Sequence, residues 1–197
     1  MNNVQQYIKR LFDLVVSAFS IVLFCPLFLI CYIAVVLEDG RPALFRQERI
    51  GFRGKPFTIY KFRSMRIDAE KNGPELSNVD SDDRLTRVGR FLRSHHLDEL
   101  PQLWNVFIGD MSFIGPRPER KYFIDQIMQR DPRYPLLYQL RPGVTSYATL
   151  YNGYTDTIEK MLRRLELDLQ YLDNWSLWLD VKILWKTFTN IVFGKHF

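Results

Sequence analysis

Asp98 and Glu99 are adjacent carboxylates that follow a row of arginines in the segment Arg84 to Asn105, RLTRVGRFLRSHHLDELPQLWN. Those residue types suit phosphoryl chemistry. An ionised aspartate can attack a phosphoryl group and hold it covalently. A neighbouring carboxylate can bind Mg²⁺, which takes one or two carboxylates together with substrate phosphates. Phosphoryl transfer asks mainly for positioning and charge neutralisation, so arginine, Mg²⁺ and carboxylate are its expected parts. Asp98 equally reads as the N-cap of a helix, with Glu99 a favourable acid behind it and Pro101 tolerated in the first turn. On that placing, the helix N-terminus would keep Asp98 ionised and stabilise nearby phosphate oxygens.

Arg84, Arg87, Arg90 and Arg93 recur at every third position. On a helix they form a slowly drifting basic stripe, which is usually a solvated face. The functional alternative is that one or two of them grip phosphate bidentately. Gly115-Pro116-Arg117-Pro118 holds Arg117 between two prolines, either as a plain turn or as a preorganised anion contact. Asp80-Ser81-Asp82 matches the short D-x-D pattern of metal-dependent nucleotide-sugar glycosyltransferases, but an acidic cap before Arg84 explains it as well. His95-His96 lacks a partner motif, and adjacent histidines on a helix diverge, so no metal site is read there. No nucleic-acid motif appears.

The elements that must position these residues begin with an apolar run. Leu14 to Leu37 carries no charge over 24 residues. A straight helix of that length measures about 36 Å and would cross a hydrocarbon core of about 30 Å. Pro26 interrupts it, giving either a kinked spanning helix or a re-entrant hairpin that leaves on the face it entered. Basic residues flank both sides: Lys9 and Arg10 before it, Arg41, Arg46, Arg49, Arg53 and Lys55 after it. A spanning helix more often shows asymmetry. Residues 41–66 read as short strands and turns, with Phe57 to Phe62 alternating. Residues 67–83 read as a surface loop. Helices are expected over Arg84 to Ser94, from near Asp98, over Glu119 to Gln129, and over about 156–173 and 176–193. Arg141 to Thr145 reads as a turn. The last helix carries Trp178, Val181, Trp185 and Phe188 at helical spacing, and with Trp175, Lys182 and Lys186 it suits either a headgroup interface or a buried core.

The composition is compatible with this outline. The chain has 197 residues, 47% of them hydrophobic, and a net charge of +5. Its mean hydropathy is −0.17, which excludes both a disordered chain and a polytopic membrane protein. That size suggests one domain, or one domain plus an anchor. The modest basic excess suits an anionic partner. Both cysteines, Cys25 and Cys31, lie inside the apolar run, where a disulfide framework is not expected.

Several motifs occur in a fixed order: Tyr60 to Met65 (YKFRSM), Arg84 to Arg93 (RLTRVGRFLR), Leu97 to Val106 (LDELPQLWNV), Gly109 to Pro118 (GDMSFIGPRP) and Arg141 to Thr145 (RPGVT). Together they resemble the bacterial sugar transferases, the monotopic phosphoglycosyl transferases, in their minimal form. The resemblance implies an enzyme that moves a phosphosugar from a UDP-sugar to polyprenyl (undecaprenyl) phosphate and releases UMP. It implies that Asp98 is the nucleophile of an aspartyl-phosphosugar intermediate, that Glu99 with Asp98 holds Mg²⁺, and that Lys61, Arg93 and Arg117 bind phosphate. It further implies an α+β, predominantly helical fold. Residues 1–40 would be a re-entrant membrane anchor hinged at Cys25-Pro26, and residues 41–197 a catalytic domain with interfacial helices. Its place would be the cytoplasmic face of the bacterial inner membrane, among membrane lipids. Two departures stand out. The family hinge is Ser-Pro, and a thiol replaces that hydroxyl with a weaker hydrogen-bonding group. The family also continues its P-G-[IV]-T motif with G-[WL]-A-Q, where this chain has Ser146-Tyr147-Ala148-Thr149. Two readings compete with this one: a D-x-D glycosyltransferase working through Asp80 and Asp82 with release of UDP, and a non-enzymatic scaffold binding anionic lipid.

Overall fold

Pro26 breaks the apolar run. Helix α1 (Asn3–Leu23) stops before Phe24, and α2 (Cys25–Asp39) carries Pro26 in its first turn, where the missing N–H leaves no hydrogen bond unmade. The computed structural model describes residues 3–69, 71, 73, 82–153 and 155–193. Among these, no single helix is long and apolar enough to cross a membrane, but α1 and α2 together are, bent by 62°. Cys25 is exposed at the break and Cys31 is buried.

Helix α1 starts well before Leu14, and its polar leading half docks on the rest of the chain. Lys9 pairs with Asp180 at 2.6 Å. The Arg10 guanidinium donates to the carbonyls of Val106 and Phe107 at 2.6 and 2.8 Å. The Asp13 carboxylate accepts from the Phe113 N–H at 3.1 Å. The far end of the bent pair is fastened as firmly. Glu38 accepts from the N–H groups of Arg87 and Val88, both at 2.8 Å, and Arg63 donates to the carbonyls of Asp39 and Gly40.

Strands β1 (Leu44–Ile50) and β2 (Pro56–Phe62) form an antiparallel hairpin, Leu44 opposite Phe62 and Ile50 opposite Pro56. Helix α3 (Arg87–Ser94) begins later than the sequence suggests, because Thr86 is its N-cap and accepts from the Gly89 N–H at 2.9 Å. Arg84 lies outside it and pairs with Asp82 at 2.7 Å. Glu38 thus gives α3 a second cap, supplied by α2. We expect Glu38→Ala to cost about 1 kcal/mol, as the loss of a helix cap does. Thermal unfolding in a lipid nanodisc should show that loss, with Glu38→Gln retaining part of it.

Helix α4 (Gln102–Ile108) follows, then strand β3 (Ser112–Ile114) and helix α5 (Lys121–Met128). Strand β4 (Gly143–Thr145) runs parallel to β3, with Ser112 opposite Gly143 and Ile114 opposite Thr145. The Arg141–Thr145 segment, expected as a turn, therefore ends in a strand. Helix α5 is shorter than expected because Glu119 stays outside it, its carbonyl accepting from the Ile50 N–H at 3.1 Å. Short helix α6 (Thr149–Asn152) leads to α7 (Ile158–Asp173) and α8 (Leu177–Val192), close to the bounds read from periodicity and capped by Thr157 and Ser176.

Apolar side chains from these elements close several small cores. One joins the bent pair to the β-hairpin and α3 through Cys31, Val35, Phe62 and Leu92. Another packs α5 on α7 through Phe123, Ile127, Met161 and Leu165. Helix α8 is two-faced. Ile183 is buried, and Trp175, just before the helix, packs inward beside it. Trp178 and Trp185 are 66% and 67% exposed, alongside exposed Val181, Phe188 and Ile191. The alternatives of core and surface are both realised, on opposite sides of one helix.

Candidate functional site

Asp98 and Glu99 sit in a short 3-10 turn, Leu97–Glu99, between α3 and α4. His96 enters that turn with φ 55° and ψ 18°, the left-handed conformation that reverses the chain after α3. Asp98 is therefore not a helix cap, since α4 begins only after Pro101 and has no side-chain cap. Side-chain charges, and not a helix N-terminus, therefore set the electrostatics of Asp98.

The expected cations converge on this turn from three elements. Lys61, near the end of β2, lies 2.6 Å from a Glu99 carboxylate oxygen. Arg117, in the loop after β3, lies 3.8 Å from the same oxygen. Arg93, in the last turn of α3, acts on Asp98. Burial alone would raise Glu99, but Lys61 and Arg117 more than offset it and hold Glu99 at about 2. His96 adds to that lowering. Asp98 is 5% exposed, and burial with the negative charge of Glu99 pushes it up to about 6 against the pull of Lys61, Arg93 and Arg117. The turn thus holds one firmly ionised carboxylate and one whose charge is poorly solvated. Both offer only hard oxygen donors, which fit Mg²⁺. No group of three or more ligating side chains occurs among the described residues, so further ligands would be substrate phosphate or water.

Neighbouring residues explain how the geometry is held. The buried Asn105 side chain accepts from the Tyr60 N–H at 3.1 Å and donates to the Thr58 carbonyl at 2.7 Å. It behaves like an extra strand residue and locks α4, with the turn before it, onto the strand that carries Lys61. Gly89 lets α3 sit directly on the chain after β2, since a Cβ there would lie 1.9 Å from the Ser64 carbonyl oxygen.

Arg117 owes its place to a buried network behind it. Glu119 is ion-paired with Arg164 and, at 3.4 Å, with Arg49. Asp168, one turn further along α7, is 2% exposed, and its Oδ1 has no hydrogen-bond partner among the described residues. Burial pushes Asp168 up to about 7, against Arg164 and the N–H groups of Ala148 and Arg117. In the sequence Arg164 and Asp168 look like the solvated face of a polar helix and do not stand out as site residues. Their four-residue spacing, with Glu119 directly after the Arg117 loop, was the available signal.

A pH dependence follows. A carboxyl raised above its ordinary 3.8 binds its proton more tightly in the folded chain, so it makes folding less favourable as pH rises from about 4 to about 7. In Asp168→Asn that contribution is absent. The melting temperature of the variant relative to the parent should therefore rise between pH 5 and pH 8; a constant difference would contradict the assignment.

The remaining sequence candidates do not join this cluster. Both Asp82 carboxylate oxygens accept from the Arg84 side chain, and Asp80 lies outside the described residues, as does most of the 67–83 loop. Arg87 and Arg90 point outward. His95, at the C-terminal end of α3, has its ring nitrogen 2.9 Å from the Phe91 carbonyl.

The chain as a whole is similar to known proteins. A family model described as "Bacterial sugar transferase" matches residues 4–194. A Caulobacter vibrioides protein named UDP-glucose:undecaprenyl-phosphate glucose-1-phosphate transferase is 44% identical over 93% of this chain and 69% of its own length. An Aeromonas hydrophila protein named UDP-N-acetylgalactosamine-undecaprenyl-phosphate N-acetylgalactosaminephosphotransferase is 42% identical, and the chain spans only 44% of it. The uncharacterized sugar transferase EpsL of Bacillus subtilis is 38% identical over 95% of this chain and 89% of its own length.

Proposed function

The chain belongs to the bacterial sugar transferase family, and from that premise we propose that it transfers a phosphosugar from a UDP-sugar to undecaprenyl phosphate, opening the assembly of a membrane-bound glycan. The single observation that carries the chemistry is the buried Asp98–Glu99 turn ringed by Lys61, Arg93 and Arg117. In the first half-reaction an Asp98 oxygen attacks the phosphorus that bears the sugar. The bond from that phosphorus to the bridging oxygen breaks, and UMP leaves with the electron pair. In the second, a phosphate oxygen of the lipid attacks the same phosphorus and returns the Asp98 carboxylate. The poor solvation of Asp98 raises its basicity, while a value of about 6 leaves it ionised at neutral pH. Lys61, Arg93 and Arg117 orient the diphosphate and balance its charge. Glu99, with Asp98, would hold Mg²⁺, which when bound neutralises the charge that builds on the leaving phosphate.

The same reading places residues 1–40 as a re-entrant anchor and 41–197 as the catalytic domain, at the cytoplasmic face of the inner membrane. Its support is that both ends of the bent pair grip one body: Lys9, Arg10 and Asp13 at one end, Glu38 and Asp39 at the other. A pair that crossed the bilayer would have to release one set. The apolar part of α1, Leu14 to Leu23, reaches about 15 Å, half of a hydrocarbon core of about 30 Å. The exposed Trp178 and Trp185 would lie in the headgroup layer beside it.

A nucleotide-release screen across UDP-sugars with undecaprenyl phosphate and Mg²⁺ tests the proposal. UMP released in an acceptor-dependent steady state is expected. UDP would point instead to direct glycosyl transfer. No nucleotide product, with salt-sensitive vesicle binding, would leave a lipid-binding scaffold.

A further inference from the structure

A groove of about 370 Å³ runs between α2 and α3. Leu27, Ile30 and Ala34 form one wall, and Val88, Phe91 and Leu97 the other. Cys31 and Leu92, both buried, form its floor. Ile30 and Phe91 at its lips are 64% and 56% exposed, so the described residues leave them uncovered. Among the described residues, Arg87 is the one charged side chain lining it.

One end of this groove carries a chemical mark. Leu97 lines it, and the next residue is Asp98. The Leu97 end of the apolar trough is therefore one residue along the chain from the two-carboxylate turn on which Lys61, Arg93 and Arg117 act. The other wall is α2, the returning half of the bent apolar pair, so the trough is continuous with the surface assigned to lipid. Its occupant should combine one anionic phosphate head with one apolar chain. A second copy of the protein offers no phosphate to the cationic end, and a two-tailed phospholipid would leave one chain outside. Resting on the function proposed above, we infer that the α2–α3 groove holds the first isoprene units of the polyprenyl phosphate acceptor and delivers its phosphate to the phosphosugar on Asp98.

The two half-reactions separate this inference from the one it rests on. Ala34→Phe and Val88→Phe fill the groove from opposite walls, in full-length protein in nanodiscs. With UDP-sugar alone, both variants should release the same burst of UMP as the parent. With undecaprenyl phosphate, both should show the acceptor KM raised about tenfold or more, as when a methylene-sized pocket is filled. A diazirine-bearing isoprenoid phosphate should label peptides from α2 and α3 in the parent protein and lose that labelling in both variants. Unchanged acceptor KM with labelling elsewhere would overturn the groove assignment. So would labelling abolished by excess phosphatidylglycerol, which would make it an acyl-chain site, or a protein–protein adduct, which would make it a dimer face. Absence of the UMP burst in the parent would instead overturn the covalent mechanism, while the labelling still reports on the groove.

Discussion

Asp98→Asn should lower turnover by at least about a thousandfold, the scale expected when a covalent nucleophile is removed. The amide keeps the size and shape of the carboxylate, so Lys61, Glu99 and Arg117 lose little of their packing. It removes the charge and the nucleophilic oxygen together. Relief of the burial penalty on the Asp98 charge, with loss of the repulsion from Glu99, outweighs the lost attraction of Lys61, Arg93 and Arg117 and should leave the variant at least as stable as the parent, so lost activity cannot be assigned to unfolding. With radiolabelled UDP-sugar and no acceptor, the parent should retain label through denaturation and the variant none. The parent's first half-reaction should also weaken as pH falls through about 6, because burial sets Asp98 there and its protonated form does not attack. Near-parental turnover by Asp98→Asn would overturn the mechanism.

Gly143→Ala should abolish the fold around Arg117. A Cβ on Gly143 would lie 2.1 Å from the Gly115 nitrogen, 2.4 Å from the Thr145 oxygen and 2.5 Å from the Gly115 oxygen. All three are backbone atoms, so no side chain can swing aside. The converse contact is as close, a Cβ on Gly115 falling 2.1 Å from the Arg141 carbonyl. The methyl can be admitted only by parting β3 from β4, at a cost of about 3 kcal/mol or more, the upper range for overpacking. Because Arg117 leaves from the end of β3, the same parting carries its guanidinium away from Glu99. Circular dichroism melts and UMP release should both collapse in this variant. A variant with parental melting and activity would show that the strands separate freely.

These two glycines also show what kind of information the sequence carried. The segments Gly115 to Pro118 and Arg141 to Thr145 read as two separate turns, and nothing local to either says that they are backbone neighbours. Parallel pairing joins positions about 30 residues apart through a crossover, a contact that no short-range pattern encodes. The break at Pro26, strand β2 and helices α7 and α8 were legible because proline geometry and hydrophobic period are local properties. The site was legible only in its members. Lys61, Arg93, Asp98, Glu99 and Arg117 do meet, yet Asp98 sits in a 3-10 turn and not at a helix N-cap. Its capping signature, an acid three residues before Pro101, was outweighed by the left-handed His96, which leads the chain into that turn, so that α4 begins only after Pro101. Glu119, Arg164 and Asp168 were invisible because burial is a tertiary property, and a charged residue on a helix is ordinarily exposed.

The pairing of Lys9 with Asp180 has a further consequence. Asp180 also accepts from the Tyr171 hydroxyl at 2.6 Å, so one buried carboxylate binds α1, α7 and α8 together. The exposed apolar faces of α1 and α8 then belong to one plate. Two independent anchors would let go in turn, each weakly held. On the membrane placement proposed above, the two faces fastened side by side would each keep the other at a high effective concentration over the bilayer, and release would require both at once. Retention there would then be a matter of avidity, and a charge-pair in the interior would set that avidity.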